Sequence, residues 1–163
     1  EAARRLRRQG VALRILLVGL PDPQNPSTLS QTQLETWTAE GLVEWRGFES
    51  DVRCIWQEAH FAVLPSCGGE GLPKSLLEAA ACARAIVTTD VPGCRDVVQP
   101  EKTGLRVPPG DVQALAAAMA RLAGDADLRA SMGQQGRLFV AEFFSERVVV
   151  EQTMALYRDL TRR

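Results

Sequence analysis

No run of apolar residues in this chain approaches the ~18–20 needed to cross a bilayer. The longest near-apolar stretch, Leu13 to Pro21, is of strand length and is broken by Arg14. An excess of either charge is also missing: 19 basic against 20 acidic side chains leave a formal net charge of −1. That balance excludes a strongly basic nucleic-acid binder. Histidine occurs once, as His60, and the four cysteines (Cys54, Cys67, Cys82, Cys94) form no C-x-x-C pair. Structural zinc therefore lacks its close ligand pairs, and the isolated cysteines read as reduced thiols of a cytoplasmic protein. The dinucleotide G-x-G-x-x-G fingerprint, the Walker loop and the G-x-S-x-G hydrolase elbow are all absent. The start shows neither an initiator Met nor a signal-peptide pattern.

What is present suits one domain: 163 residues, 45% of them hydrophobic, enough to bury an ordinary core. Arg14–Val18, Leu42–Trp45, Phe61–Leu64 and Ala85–Thr88 are short apolar runs of the kind buried parallel strands show, and Leu105–Val107 is a short fifth. Helical patterns alternate with them. Leu29 to Glu40 is one, with a start signal at Thr32 and Glu35 or at Ser27. Asp51 is positioned to cap a second, and Pro73 to Cys82 carries proline early in a third. Asp111 and Asp125 open two more, and a last helix covers about 145–161 with Val149, Thr153, Leu156, Tyr157 and Leu160 at helical spacing. Alternation of this kind predicts a Rossmann-like, three-layer α/β/α domain on a parallel sheet. Ligands in such domains bind beyond the carboxyl ends of the strands. Glu1 to Gly10 reads as the tail of a helix with Gly10 as its stop. That helix has nothing before it to pack on, so the chain is expected to be the C-terminal part of a longer protein.

The segment Leu64-Pro-Ser-Cys-Gly-Gly-Glu-Gly-Leu-Pro-Lys-Ser-Leu-Leu-Glu78 carries the chemistry. A strand runs into a glycine-rich loop and a helix starts near Pro73. Glycine lets a backbone approach a ligand, and a helix N-terminus presents unpaired N–H groups and partial positive charge to an anion. Lys74 in the first turn suits the helix dipole only if an anion sits there. Glu70 in the loop and Glu78 down the helix can each accept two hydroxyl hydrogen bonds, as a vicinal diol offers. A nucleotide sugar combines diphosphate, ribose and hexose in that way. The plain alternative, an ordinary loop with a surface glutamate, is open on the segment alone.

Taken with its surroundings, the segment resembles the C-terminal, donor-binding domain of a GT-B glycosyltransferase of family four, the retaining group. Glu70 and Glu78 stand as that family's E-x7-E motif. Pro65-Ser66, Glu70-Gly-Leu-Pro73, Leu76-Leu-Glu-Ala79, Thr88 to Asp96, Lys102-Thr-Gly104, Val107-Pro-Pro and Met132-Gly133 to Phe144-Ser145 extend the likeness over about Arg14 to Leu160. The resemblance implies that residues 1–163 form one nucleotide-sugar-binding domain of a hexosyltransferase-type enzyme (EC 2.4). In that case the acceptor domain, the first strand and a basic pair that grips the diphosphate lie before Glu1, and this chain alone is inactive.

The roles the resemblance implies are these. Glu70 is the catalytic contact to the donor sugar. Gly69, Gly71, Leu72, Pro73, Ser75 and Leu76 hold sugar and diphosphate, and Glu78 takes the ribose. Arg46, Gly47, Phe48 and Val52 hold the base. No metal and no cofactor is expected beyond the nucleoside diphosphate sugar as co-substrate. The acceptor is a glycan or lipid-linked sugar, in bacterial surface polysaccharide or lipopolysaccharide synthesis. The protein is expected in the cytoplasm, with peripheral contact to the inner membrane and no nucleic-acid partner. A sugar-nucleotide epimerase of the same architecture and a non-catalytic nucleotide-sugar binding module are the alternatives. One departure bears on structure: the family's Gly-Arg-Pro before the fourth strand is Ala83-Arg84-Ala85 here. That is tolerable only if position 83 does not need positive φ.

Overall fold

A computed structural model describes residues 1–25, 28–69 and 71–161. Pro26, Ser27, Arg162, Arg163 and, among the expected site residues, Glu70 lie outside the described residues. The elements run α1 (Ala2–Arg8), β1 (Leu16–Val18), α2 (Gln31–Ala39), β2 (Glu44–Gly47), α3 (Val52–Glu58), β3 (Phe61–Leu64), α4 (Lys74–Ala81), β4 (Ala85–Thr89), α5 (Cys94–Val97), β5 (Gly104–Val107), α6 (Val112–Gly124), α7 (Ala126–Phe143) and α8 (Glu146–Thr161). Every strand pairing is parallel.

The strands form two sheets, β1-β2 and β3-β4-β5, instead of one. Among the described residues no pairing joins β1 to β3. β4 sits centrally and is buried throughout, whereas β1 and β2 are only partly buried, short of the burial their sequences suggest. Alternation along β4 builds the layers. Ile86 faces Leu76, Ala79 and Ala80 of α4 together with Val97, Val98 and Val140. Ala85 and Val87 face the other way, onto Leu105, Val107, Leu122 and Met132. Leu6 of α1 packs on Ala116 and Met119 of α6 and gathers Ile15 and Phe61, the residues at the amino ends of β1 and β3. An exposed ion-pair cluster of Arg14, Glu44, Arg46 and Glu58 sits at the same end. The two sheets therefore point the same way, and their carboxyl ends share one side of the domain.

Several boundaries differ from the sequence reading for local reasons. β2 starts two residues later than its apolar run, because the Leu42 amide is taken by the Trp37 carbonyl (2.9 Å) in closing α2. α2 is capped by the Ser30 hydroxyl, which accepts from the Gln33 amide; Thr32 lies inside the helix and Glu35 accepts from the Gln31 side chain. Pro73 is the cap residue of α4, not part of its first turn. The Asp51, Asp111 and Asp125 caps form as expected. Arg53, through its guanidinium and its amide, holds the Asp51 carboxyl below the usual carboxylate range. The segment after β4, read as a loop, contains the short helix α5. Among the described residues no helix is long and apolar enough to cross a membrane.

Candidate functional site

Three loops leave the carboxyl ends of β1, β2 and β3 on one side of the domain. The β3 loop, residues 65–73, is the glycine-rich one. Pro65 ends the ladder because it has no N–H to continue it. Gly68 and Gly69 follow with φ of 136° and 75°, values that side chains rarely adopt. A Cβ built at Gly71 meets nothing within 4 Å, which leaves open space above the helix start. Leu72 beside it is 46% exposed.

The N-terminus of α4 opens onto this space without a cap. Pro73 supplies no side-chain hydrogen bond, in contrast to Ser30, Asp51, Asp111 and Asp125 at α2, α3, α6 and α7. The amides of Lys74 and Ser75 have no acceptor among the described residues. Free N–H groups at such a terminus suit an anion. The expected part of Leu76 changes. Its amide already donates to the Pro73 carbonyl (3.1 Å) and its side chain is buried in the core, so it anchors the helix and offers nothing to a diphosphate. One turn below Ser75, the half-buried Glu78 carboxylate forms no hydrogen bond or ion pair with any described residue. Its oxygens are not among the buried atoms left without a partner, so they are open to solvent or to the hydroxyls of a ligand.

The expected base site divides. The Gly19 amide donates to the Gly47 carbonyl (2.7 Å), and the Trp45 indole donates to the Gly19 carbonyl (2.8 Å). These bonds tie the β1 loop to the end of β2. Two large apolar side chains stand out of the tied loops, Leu20 at 63% and Phe48 at 73% exposed. An exposed aromatic ring beside a strand end is the kind of surface a planar base stacks on. Val52 opens α3 and is half-buried. Arg46 turns away: its guanidinium pairs with Glu44 (2.6 Å) and Glu58 (3.0 Å), toward the amino ends of the strands. Only its backbone is left for a base. Trp45, expected only as the end of a buried strand, also ties the β1 loop in place through its indole. His60 and Cys67 are exposed.

Residues 1–125 match the model of a protein family described as glycosyl transferases group 1. A Salmonella typhimurium protein provisionally named the colanic acid biosynthesis glycosyltransferase WcaL is 32% identical over 98% of this chain and 41% of its own length. The chain thus spans about two fifths of that relative. Sucrose-phosphate synthase of Thermosynechococcus elongatus is similar in structure, with a TM-score of 0.80 and 31% identity over 91% of this chain and 39% of that one. The fold is also that of part of Staphylococcus aureus TarM, solved with fondaparinux, α-GlcNAc-glycerol and UDP: TM-score 0.83 at 19% identity, over 96% of this chain and 31% of that one.

Proposed function

This chain belongs to the glycosyl transferases group 1 family, and from that premise we propose that it is the donor-binding half of a retaining glycosyltransferase. The enzyme transfers a sugar from a nucleoside diphosphate sugar to an acceptor hydroxyl. The observation that carries this reading is the uncapped α4 terminus facing open space at Gly71, with the unpartnered Glu78 one turn below. The similarly folded TarM was solved with UDP, which supports a nucleotide as the ligand class. The name of the Salmonella relative supports a polysaccharide as the product; a glycan or lipid-linked sugar as acceptor and a cytoplasmic reaction complete the proposal.

Departure of the diphosphate leaves a cation-like sugar and places negative charge on the leaving group. The chemical requirement is to stabilise that charge where it develops. The Lys74 and Ser75 amides and the partial positive charge of α4 meet it, and Lys74 adds a full charge in the same turn. Glu78 accepts the two ribose hydroxyls, and Phe48 with Leu20 covers the base. Glu70, outside the described residues, is assigned to the sugar by its place in the E-x7-E motif. The remaining catalytic groups and the acceptor site belong to a second half. A parallel strand from that part of the protein pairs between β1 and β3, which are not paired with each other among the described residues.

Calorimetry of the 163-residue chain with nucleoside diphosphates tests the site. Glu78→Ala is expected to weaken binding at least about tenfold, the scale of one lost hydrogen bond to a charged acceptor. Gly71→Ala is expected to weaken it with the melting temperature unchanged. Equal binding by wild type and Glu78→Ala refutes the ribose assignment. For the reaction itself, the full-length protein is expected to move labelled sugar to an acceptor with its anomeric configuration kept. Release of free, epimerised sugar overturns the transferase reading.

A further inference from the structure

The β3 loop is held to the sheet by side chains, not by its own backbone. In the ladder Leu64 is paired with Thr88, and beyond it Pro65 cannot donate. There the last two residues of β4 take over. The Thr88 hydroxyl donates to the Leu64 carbonyl (2.8 Å), and the Thr89 hydroxyl donates to the Ser66 carbonyl (2.5 Å). Both threonines are buried, at 0% and 2% exposure. Valine fills nearly the same shape at the end of this buried central strand, so what threonine adds there is its hydroxyl. Past Ser66, long hydrogen bonds link its hydroxyl to the Gly68 amide (3.5 Å) and carbonyl (3.4 Å), and Gly68 and Gly69 have open space around them, so the position of Ser66, tied to β4 through its carbonyl, sets where the loop leaves the sheet. The β4 backbone is rigid, since Thr89 is also paired with Val107 and the Asp90 amide donates to the Val107 carbonyl (2.9 Å).

We infer that Thr89 is a positioning residue for the donor site: its hydroxyl gives the Ser66 carbonyl a donor from β4 beyond the end of the ladder and fixes where the glycine-rich loop presents its backbone to the sugar and diphosphate. This rests on the donor-site reading above. Thr88 performs the same bond one rung earlier, inside the strand, and is structural. The pair therefore supplies its own control, because each valine variant removes one buried hydroxyl from one carbonyl.

The test uses the full-length enzyme with Thr89→Val, Thr89→Ser and Thr88→Val. Thr89→Val is expected to raise the donor KM about tenfold, the scale of one lost hydrogen bond and a misplaced loop, with acceptor KM unchanged. Thr89→Ser keeps the hydroxyl and is expected to restore the donor KM. Thr88→Val is expected to lower the melting temperature as much as Thr89→Val does while leaving the donor KM alone. Hydrogen exchange without any ligand is expected to be faster at Cys67, Gly68 and Gly69 in Thr89→Val only. Equal donor KM shifts in the two valine variants, or no restoration by serine, overturns the proposal. So does faster loop exchange with an unchanged donor KM. If the enzyme uses a different co-substrate class but Thr89→Val alone raises its KM and frees the loop, the donor reading fails and the positioning role stands.

Discussion

Three helices of this domain end in the same way, and only two of them have the residue that the ending calls for. α1, α2 and α4 each close with paired bonds from the two residues past the cap back into the last turn: Gly10 and Val11 onto Arg7 and Leu6, Gly41 and Leu42 onto Thr38 and Trp37, Ala83 and Arg84 onto Ala80 and Ala79. This Schellman arrangement puts its first residue past the cap in the left-handed region, where glycine is at no disadvantage. Gly10 and Gly41 have φ of 74° and 66°, and Ala83 has 56°. The Gly-to-Ala departure noted from the sequence therefore falls at a position that does need positive φ. Ala83→Gly is expected to stabilise the chain by roughly 1 kcal/mol, the cost of a Cβ in that region less the extra entropy of glycine unfolded. Denaturant titration reads it as a higher midpoint at unchanged slope; an equal or lower midpoint means that Ala83 is not strained. Gly10 and Gly41 were legible as helix stops because glycine announces that conformation. Ala83 was not, since alanine carries no sign of the backbone forced on it.

Elements were legible where periodicity and capping chemistry agree, and blurred where a neighbour competes for the same amide. The aspartate caps of α3, α6 and α7 follow from side-chain chemistry alone. The two-residue shift of β2 does not, because it depends on the Leu42 amide being taken by α2. α8 shows the limit of periodicity in another way. The apolar stripe of Val149, Leu156, Tyr157 and Leu160 predicted the helix correctly, yet no residue of α8 is buried. A pattern says which face is apolar, not what lies against it. The opposite case is α7, where contact is closest. A Cβ at Gly133 comes within 2.1 Å of the Ala83 carbonyl oxygen and 2.8 Å of its carbon, both backbone atoms. The smallness of Gly133 is what lets α7 lie against the turn between α4 and β4. Gly133→Ala is expected to cost about 1–3 kcal/mol, the range for overpacking a close contact, despite alanine's better helix propensity. Thermal unfolding followed by circular dichroism checks the sign. A gain in stability shows that propensity outweighs the contact and that α7 can shift away.

The split of the sheet could not be read from the apolar runs, since all five of them form strands and nothing in them says which strand neighbours which; the resemblance placed a further strand before Glu1 without fixing where it pairs. The consequence of the split lies in how stability is spread over the molecule. The β3-β4-β5 sheet is covered on both faces, by α4 and the later part of α7 (Phe139, Val140) on one and by α6 and the earlier part of α7 (Leu128, Met132) on the other. The β1-β2 pair is half-buried and reaches the rest through the Leu6 cluster and through Arg14 and Arg46 on Glu58. Those arginines are 59% and 37% exposed in their side chains. Exposed pairs of this kind add little stability. Local opening follows the elements with the fewest buried apolar contacts. Native-state hydrogen exchange on the 163-residue chain is therefore expected to resolve two levels. Amides of β4, at Ile86 and Val87, exchange only through global unfolding and track denaturant with its full slope. Amides of β1, β2 and α2 exchange through a smaller opening with a shallow slope. A strand seated between β1 and β3 joins the two sheets and raises the lower level toward the upper one. The same measurement on the full-length protein therefore reports whether that space is filled. If Leu17 and Ile86 already share one opening free energy in the 163-residue chain, the β1-β2 pair is part of the core and the space beside it is not the molecule's weak point.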